Sequence, residues 1–239
     1  MSELIARVEE LSANLTRVRG RIEAACDRAG RGAGSVTLIA ITKNFPATDV
    51  RILAELGVTD VGENRHPEAF HKRSECLDLG LRWHFVGALQ SNKASVVGGY
   101  CDVVHSVDRH KVVGALSRGA READRVSPLD CFVQVSLDEP GSVGNRAGVE
   151  PAQLSDLAAA VAGAPGLRLV GLMAVAPLRG DPRAAFGRLA GYGAELAVEH
   201  PAARWLSAGM SGDLEDAIAA GATHVRVGRA VLGARPPVE

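Results

Sequence analysis

The chain has 239 residues and a mass of 24.9 kDa, enough for one large domain or two small ones that bury roughly 70% of their unfolded surface. Apolar residues make up 46% and charged residues 23%, which excludes intrinsic disorder, collagen-like repeats and low-complexity tracts for most of the length. Lys and Arg total 27 against 28 Asp and Glu, a formal charge of -1, so a nucleic-acid partner is not expected and any anion site must be local.

The four cysteines, Cys26, Cys76, Cys101 and Cys131, form no close pair of the kind a zinc site or thioredoxin motif requires, and reduced thiols in a cytoplasm are the expected state. Residues Met1 to Arg7 lack the basic region and apolar run of a secretory signal. The apolar stretch from Leu157 to Leu178 is interrupted by Pro165-Gly166 and Arg168, below the length of a membrane span. It reads as helix end, turn and buried strand, and no membrane partner is expected.

In chain order, residues 1 to 29 carry Leu4, Val8, Leu11, Leu15, Val18, Ile22 and Ala25 at steps of four and three, one face of a helix. That face suits packing on the chain's own domain, and its spacing also admits a dimer seam. Gly30 to Ser35 end it. Strands are then expected at Val36–Ile41, Thr59–Val61, Arg82–Val86, Asp102–His105, Cys131–Val135, Leu167–Met173, Arg204–Leu206 and Thr223–Val227. Helix starts are expected at Thr48, at Asp108, at Asp181 with Pro182 in the first turn, and at Ser211 before Leu214 to Ala219. Such alternation, with strands apolar enough to be buried on both faces, fits a single α/β domain over residues 1–239: a (β/α)8 TIM barrel with an extra N-terminal helix. A dinucleotide-binding open sheet would show G-x-G-x-x-G after its first strand, where this chain has Thr42-Lys43-Asn44-Phe45-Pro46.

Chemistry in such a barrel gathers at the C-terminal ends of the strands. There the sequence places Thr42-Lys43, Gly62-Glu63-Asn64, His84, His105-Ser106, Gln134 and Ser136, Met173, Ser207 through Ser211, and Arg226-Val227-Gly228. Gly209-Met210-Ser211-Gly212 is a glycine-rich turn whose N–H groups could approach an anion with a helix behind them, and Arg226 adds a fixed positive charge for a phosphate or an acceptor atom. The plainer alternative is a tight loop in which Ser211 only caps a helix and Arg226 pairs with Glu63; Asp213 beside the turn counts against the anion cup. Lys43 follows a buried run, where desolvation lowers an amine pKa and frees a nucleophile for an aldehyde, or else its ammonium reaches solvent. His84, between Trp83 and Phe85, suits a hydrogen-bonded structural histidine, and His66, Glu68 and His71 suit a solvated helix face better than a metal site.

Leu38-Ile-Ala-Ile-Thr-Lys43 with Pro46, Gly62-Glu-Asn64, Trp83-His-Phe-Val-Gly87 with Leu89-Gln-Ser-Asn-Lys93, His105-Ser-Val-Asp-Arg109, Gly171-Leu-Met173, Leu206-Ser-Ala-Gly-Met-Ser211 and Val225-Arg-Val-Gly228 occur in the order shown by a known family. Across nearly its whole length the chain resembles the YggS/PROSC group of pyridoxal 5'-phosphate (PLP) homeostasis proteins. The resemblance implies a barrel similar to the N-terminal domain of alanine racemase, with PLP held as a Schiff base on Lys43. It places the cofactor's phosphate at Gly209, Met210, Ser211 and the Arg226–Gly228 turn, Asn64, Ser106 and Met173 around the ring, and Ser207 among the other cofactor-binding residues. It implies a monomer in the cytoplasm that serves PLP supply, with apo PLP-enzymes as possible recipients.

Relatives often carry a second lysine two positions after the Schiff-base lysine, where this chain has Phe45, and a tyrosine or similar residue after Asn64, where it has Arg65-His66-Pro67. Arg146 stands near where many relatives show lysine. A racemase needs acid/base groups on both faces of its substrate. The only tyrosines, Tyr100 and Tyr192, are expected away from the mouth, and the length leaves no room for an added β-domain. A PLP-binding carrier without robust catalysis is therefore expected; a weak PLP-dependent racemase or decarboxylase, or a cofactor-free aldolase acting on a phosphorylated sugar, are the alternatives.

Overall fold

A computed structural model describes residues 2–138 and 147–234. A long helix, α1 (Ser2–Arg28), precedes eight strands: β1 (Thr37–Ile41), β2 (Asp60–Glu63), β3 (Arg82–Phe85), β4 (Val103–Val107), β5 (Leu129–Gln134), β6 (Leu167–Met173), β7 (Trp205–Ser207) and β8 (His224–Val227). Each pairs in parallel with the next and β8 returns to β1, so the sheet closes into a barrel. The helices between them are α2 (Ala47–Glu55), α3 (Glu68–Glu75), α4 (Ser91–Tyr100), α5 (His110–Glu122), α6 (Leu154–Ala162), α7 (Pro182–Glu199) and α8 (Leu214–Ala219); α9 (Arg229–Leu232) follows β8. Parallel strands need crossover connections, and the helices supply them while covering the sheet's outer face.

All eight expected strands form, but several reach further into polar sequence than apolarity indicates. β2 begins at Asp60 and ends at Glu63, and β7 includes Ser207. Ladder hydrogen bonding belongs to the backbone, so a polar residue whose side chain finds a partner inside the barrel extends a strand at little cost. Two helix starts also differ. α2 begins behind Pro46, with Thr48 in its first turn, and α5 has Arg109 rather than Asp108 at its cap position. The Asp181 start holds: its carboxylate accepts from the Arg183 N–H at 2.9 Å, with Pro182 first in the helix.

The N-terminal helix packs on its own barrel. Leu11, Leu15, Val18, Ile22 and Ala25 are buried in one cluster with Leu214 and Ile218 of α8 and Val231 and Leu232 of α9. Arg21 makes a two-pronged pair with Glu215, and Asn14 donates to the Val231 carbonyl at 3.1 Å. Leu4 and Ile5 stay exposed. Since α8 and α9 follow β7 and β8, this face of α1 braces the side of the barrel that carries the glycine-rich turn.

Candidate cofactor site at the barrel mouth

Lys43 stands two residues beyond β1, and the backbone on both sides of it is fixed. The Thr42 N–H donates to the Gly62 carbonyl and its hydroxyl to Glu63 Oε1 at 2.6 Å. Lys72, buried on α3, donates to the Thr42 carbonyl at 2.9 Å, to Glu63 Oε1 at 2.6 Å and to Glu68 Oε1 at 3.1 Å. Glu68 in turn accepts the N–H of Asn44, whose φ of 67° is the left-handed conformation that Asn tolerates. Burial raises the Glu63 carboxyl above its ordinary range, although Lys72 and Thr42 pull it down. Glu63 is thus committed to Lys72, and the pairing with Arg226 considered above is not formed.

The Lys43 side chain lines a cavity of about 460 Å³ at the mouth, within the range of small-molecule sites. Asn64, Met173, Met210, Ser211, Arg226 and Gly228 line it too. Asn64 Oδ1 is buried there with no hydrogen-bond partner among the described residues. Gly87 lets the loop after β3 close on Asn64: a Cβ at position 87 would stand 2.0 Å from the Asn64 carbonyl oxygen. Phe45 lines the same wall, with the Arg7 guanidinium 5.6 Å above its ring, so position 45 contributes an apolar surface.

On the β7–β8 side, Gly209 has φ 89° and a Cβ there would meet Ala217 Cβ at 2.7 Å and Leu214 Cα at 3.0 Å. Only glycine lets this turn lie so close to α8. Asp213 is engaged, because its carboxylate accepts the Met210 N–H at 2.6 Å. It also occupies the cap position of α8, displacing Ser211 from the capping role. With six residues and with Glu215 and Asp216 in its first turn, α8 offers an anion little from its dipole. The amides of Ser211 and Gly212, which have no protein acceptor among the described residues, and the buried Arg226 cation remain.

Arg226 donates to Ser207 Oγ at 2.7 Å and to the Ala174 carbonyl at 2.9 Å, both neutral. Burial, only partly countered by Asp213, lowers its pKa to about 10. A cation held under that penalty without a carboxylate pressed against it is a ready partner for an acceptor or anion in the cavity.

Three residues singled out from sequence stand behind the wall. Ser207 is fully buried between Arg226 and His105; Gly209 shapes the turn; Ser106 is buried with a hydroxyl that has no partner among the described residues. Gln134, expected at the end of its strand, lines the cavity; lining residues without such a signal in the sequence include Val175, Arg229 and Gly233, and Arg229, one step past the Arg226–Gly228 turn, was the most readable of them. Arg146 lies outside the described residues. His66 contacts Tyr100 and Glu68 holds Lys72 and Asn44, and among the described residues no His, Cys, Asp or Glu grouping is arranged to hold a metal ion. Among the described residues no helix is long and apolar enough to cross a membrane.

A closed parallel barrel with a lysine and a buried arginine lining one cavity at its mouth defines the class, and residues 13–236 match the family model described as alanine racemase, N-terminal domain. The chain is 43% identical to the pyridoxal phosphate homeostasis protein of Mycobacterium tuberculosis, over 96% of this chain and 94% of that one. It is 38% identical to the protein of that name from Escherichia coli, over 95% and 98% of the two chains. Among solved structures, PipY of Synechococcus elongatus with PLP bound superposes with a TM-score of 0.78 at 33% identity, covering 93% of this chain and all of PipY. The chain belongs to the family of pyridoxal phosphate homeostasis proteins.

Proposed function

We propose that this chain binds PLP at the barrel mouth and serves the supply of that cofactor to the cell's apo-enzymes, acting in the cytoplasm as a monomer and without robust turnover of amino acids. What supports the reading is the convergence, in one cavity, of Lys43 with a buried Arg226 whose protein partners are neutral oxygens. The residues fit the group. PLP would supply an aldehyde for an amine, a phosphate for cationic and N–H donors, and ring atoms able to accept or donate hydrogen bonds.

Lys43 supplies the amine, held in place by the Thr42, Lys72 and Glu68 clamp on its backbone. Ser211, Gly212, Arg226 and Gly228 supply donors along the β7–β8 side of the same mouth, and Met173 an apolar wall. Asn64, whose buried oxygen has no partner among the described residues, offers an acceptor.

Racemisation at an amino acid's Cα demands proton carriers on both faces. Lys43 is the lone amine in the lining, which contains no Tyr, His, Cys, Asp or Glu among the described residues. Tyr100 and Tyr192 lie elsewhere: Tyr100 is buried at the end of α4 and Tyr192 sits in α7. A carrier needs only reversible attachment, which one lysine provides.

The test is an absorbance titration with PLP, paired with an assay of alanine racemisation. A new band near the visible edge that is absent in Lys43→Ala, with no racemisation above background, is the expected result. Racemisation that depends on Lys43 would contradict the carrier reading, and a spectrum unchanged by PLP would contradict both.

A further inference from the structure

We infer that His84 and His105 are positioning residues for Arg226: with Ser207 they form a one-way hydrogen-bond chain that holds the guanidinium at the cavity and ends on the Asp60 carboxylate deep in the barrel. The distances are continuous. Arg226 Nη1 to Ser207 Oγ is 2.7 Å, Ser207 Oγ to His105 Nδ1 is 2.9 Å, His105 Nε2 to His84 Nδ1 is 2.8 Å and His84 Nε2 to Asp60 Oδ1 is 2.8 Å. The five residues sit on β8, β7, β4, β3 and β2, so the chain crosses the barrel interior, and none of them is more than 7% exposed.

The direction follows from its two ends. An arginine can only donate and an ionised carboxylate can only accept. Asp60 is ionised: burial opposes this, but hydrogen bonds from His84 and from the Thr59 hydroxyl at 2.7 Å hold its pKa below the ordinary value. Burial lowers both histidines, His105 strongly, so each ring is neutral and carries one proton. His84 must place that proton on Nε2 to reach Asp60, which leaves Nδ1 as an acceptor. His105 must then donate from Nε2 and accept at Nδ1, and the Ser207 hydroxyl donates to it while accepting from Arg226. Every proton has one place. Phe132, stacked on His105 at 4.4 Å and 21°, fixes the ring plane, and His224 is engaged with Thr223 instead.

Neither histidine lines the cavity, so neither touches a ligand there. Their effect passes through Arg226. A leucine at 105 strands the Ser207 hydroxyl and the His84 acceptor, and frees the guanidinium to turn. A glutamine offers an acceptor oxygen and a donor nitrogen in one planar group and can restore both links.

The effect on ligand binding rests on the proposed PLP reading, and the order of the chain does not. Long-range proton–nitrogen correlation spectra of the histidine rings in the ligand-free protein are expected to show His84 and His105 neutral with the proton on Nε2. A proton on Nδ1 of either ring overturns the proposal. In PLP titrations at a temperature where both variants are folded, His105→Leu is expected to lose about tenfold in affinity and His105→Gln to stay within about threefold of the parent. His105→Leu binding as tightly as the parent also overturns it. If the parent itself takes up no PLP, the functional reading fails, and the ring spectra still decide the chain.

Discussion

Lys72 and Thr42 are joined by a buried hydrogen bond, the ammonium donating to the carbonyl oxygen 2.9 Å away, one residue before Lys43. The same ammonium neutralises Glu63, itself buried. Lys72→Met leaves that carboxylate in the interior without a cation, which costs about 3–5 kcal/mol. Urea denaturation should register a loss of that size, and Lys72→Met combined with Glu63→Gln should recover most of it. A single variant within about 1 kcal/mol of the parent would show that the clamp contributes little.

Gly209 and Gly212 flank the same turn and should respond differently to alanine. At 209 the φ of 89° and the approach of Ala217 Cβ to 2.7 Å force the turn to move, whereas nothing lies within 4 Å of a Cβ at 212. Gly209→Ala should lower stability by about 1–3 kcal/mol and weaken PLP binding by shifting Ser211, while Gly212→Ala should leave stability within about 0.5 kcal/mol. Thermal and chemical denaturation of the pair decide this, and equal losses at both positions would contradict it.

Acid should destabilise the fold well before its carboxylates titrate. His84, His105 and His224 are held neutral by burial, with His224 lowered to about 3. Their folded-state pKa values lie below the unfolded value, so the stability they contribute is present above about pH 6.5 and is lost as pH falls toward the folded values. Each histidine contributes a slope of about 1.4 kcal/mol per pH unit in that window, opposed by Glu63, whose raised pKa favours the fold on acidification. Urea midpoints at pH 7.5, 6.5 and 5.5 should fall in that order, and more gently in His224→Asn. A flat profile would mean that the native state admits the protons.

The barrel was legible because its strands are apolar runs separated by amphipathic stretches, and so was the gathering of Lys43, Asn64, Met173 and Arg226 at one mouth, since each ends or follows such a run. Side-chain commitments were not. The sequence puts Asp213 beside an anion cup and Glu63 within reach of Arg226, but not that Asp213 takes the Met210 amide or that Lys72 claims Glu63. Likewise His84, His105 and Ser207 are separate strand residues until closure of the barrel sets them in contact. Such links join residues as many as 102 positions apart and depend on strand register, which hydrophobic periodicity does not encode.

Lys43, among the four lysines at 43, 72, 93 and 111, is the one proposed to engage the cofactor's aldehyde. Borohydride reduction of the protein incubated with PLP, followed by peptide mass mapping, tests this assignment most directly. A stoichiometric pyridoxyl addition on the peptide carrying Lys43 is expected. An unmodified Lys43 peptide, whether the addition falls on Lys72, Lys93 or Lys111 or on none, would contradict the account.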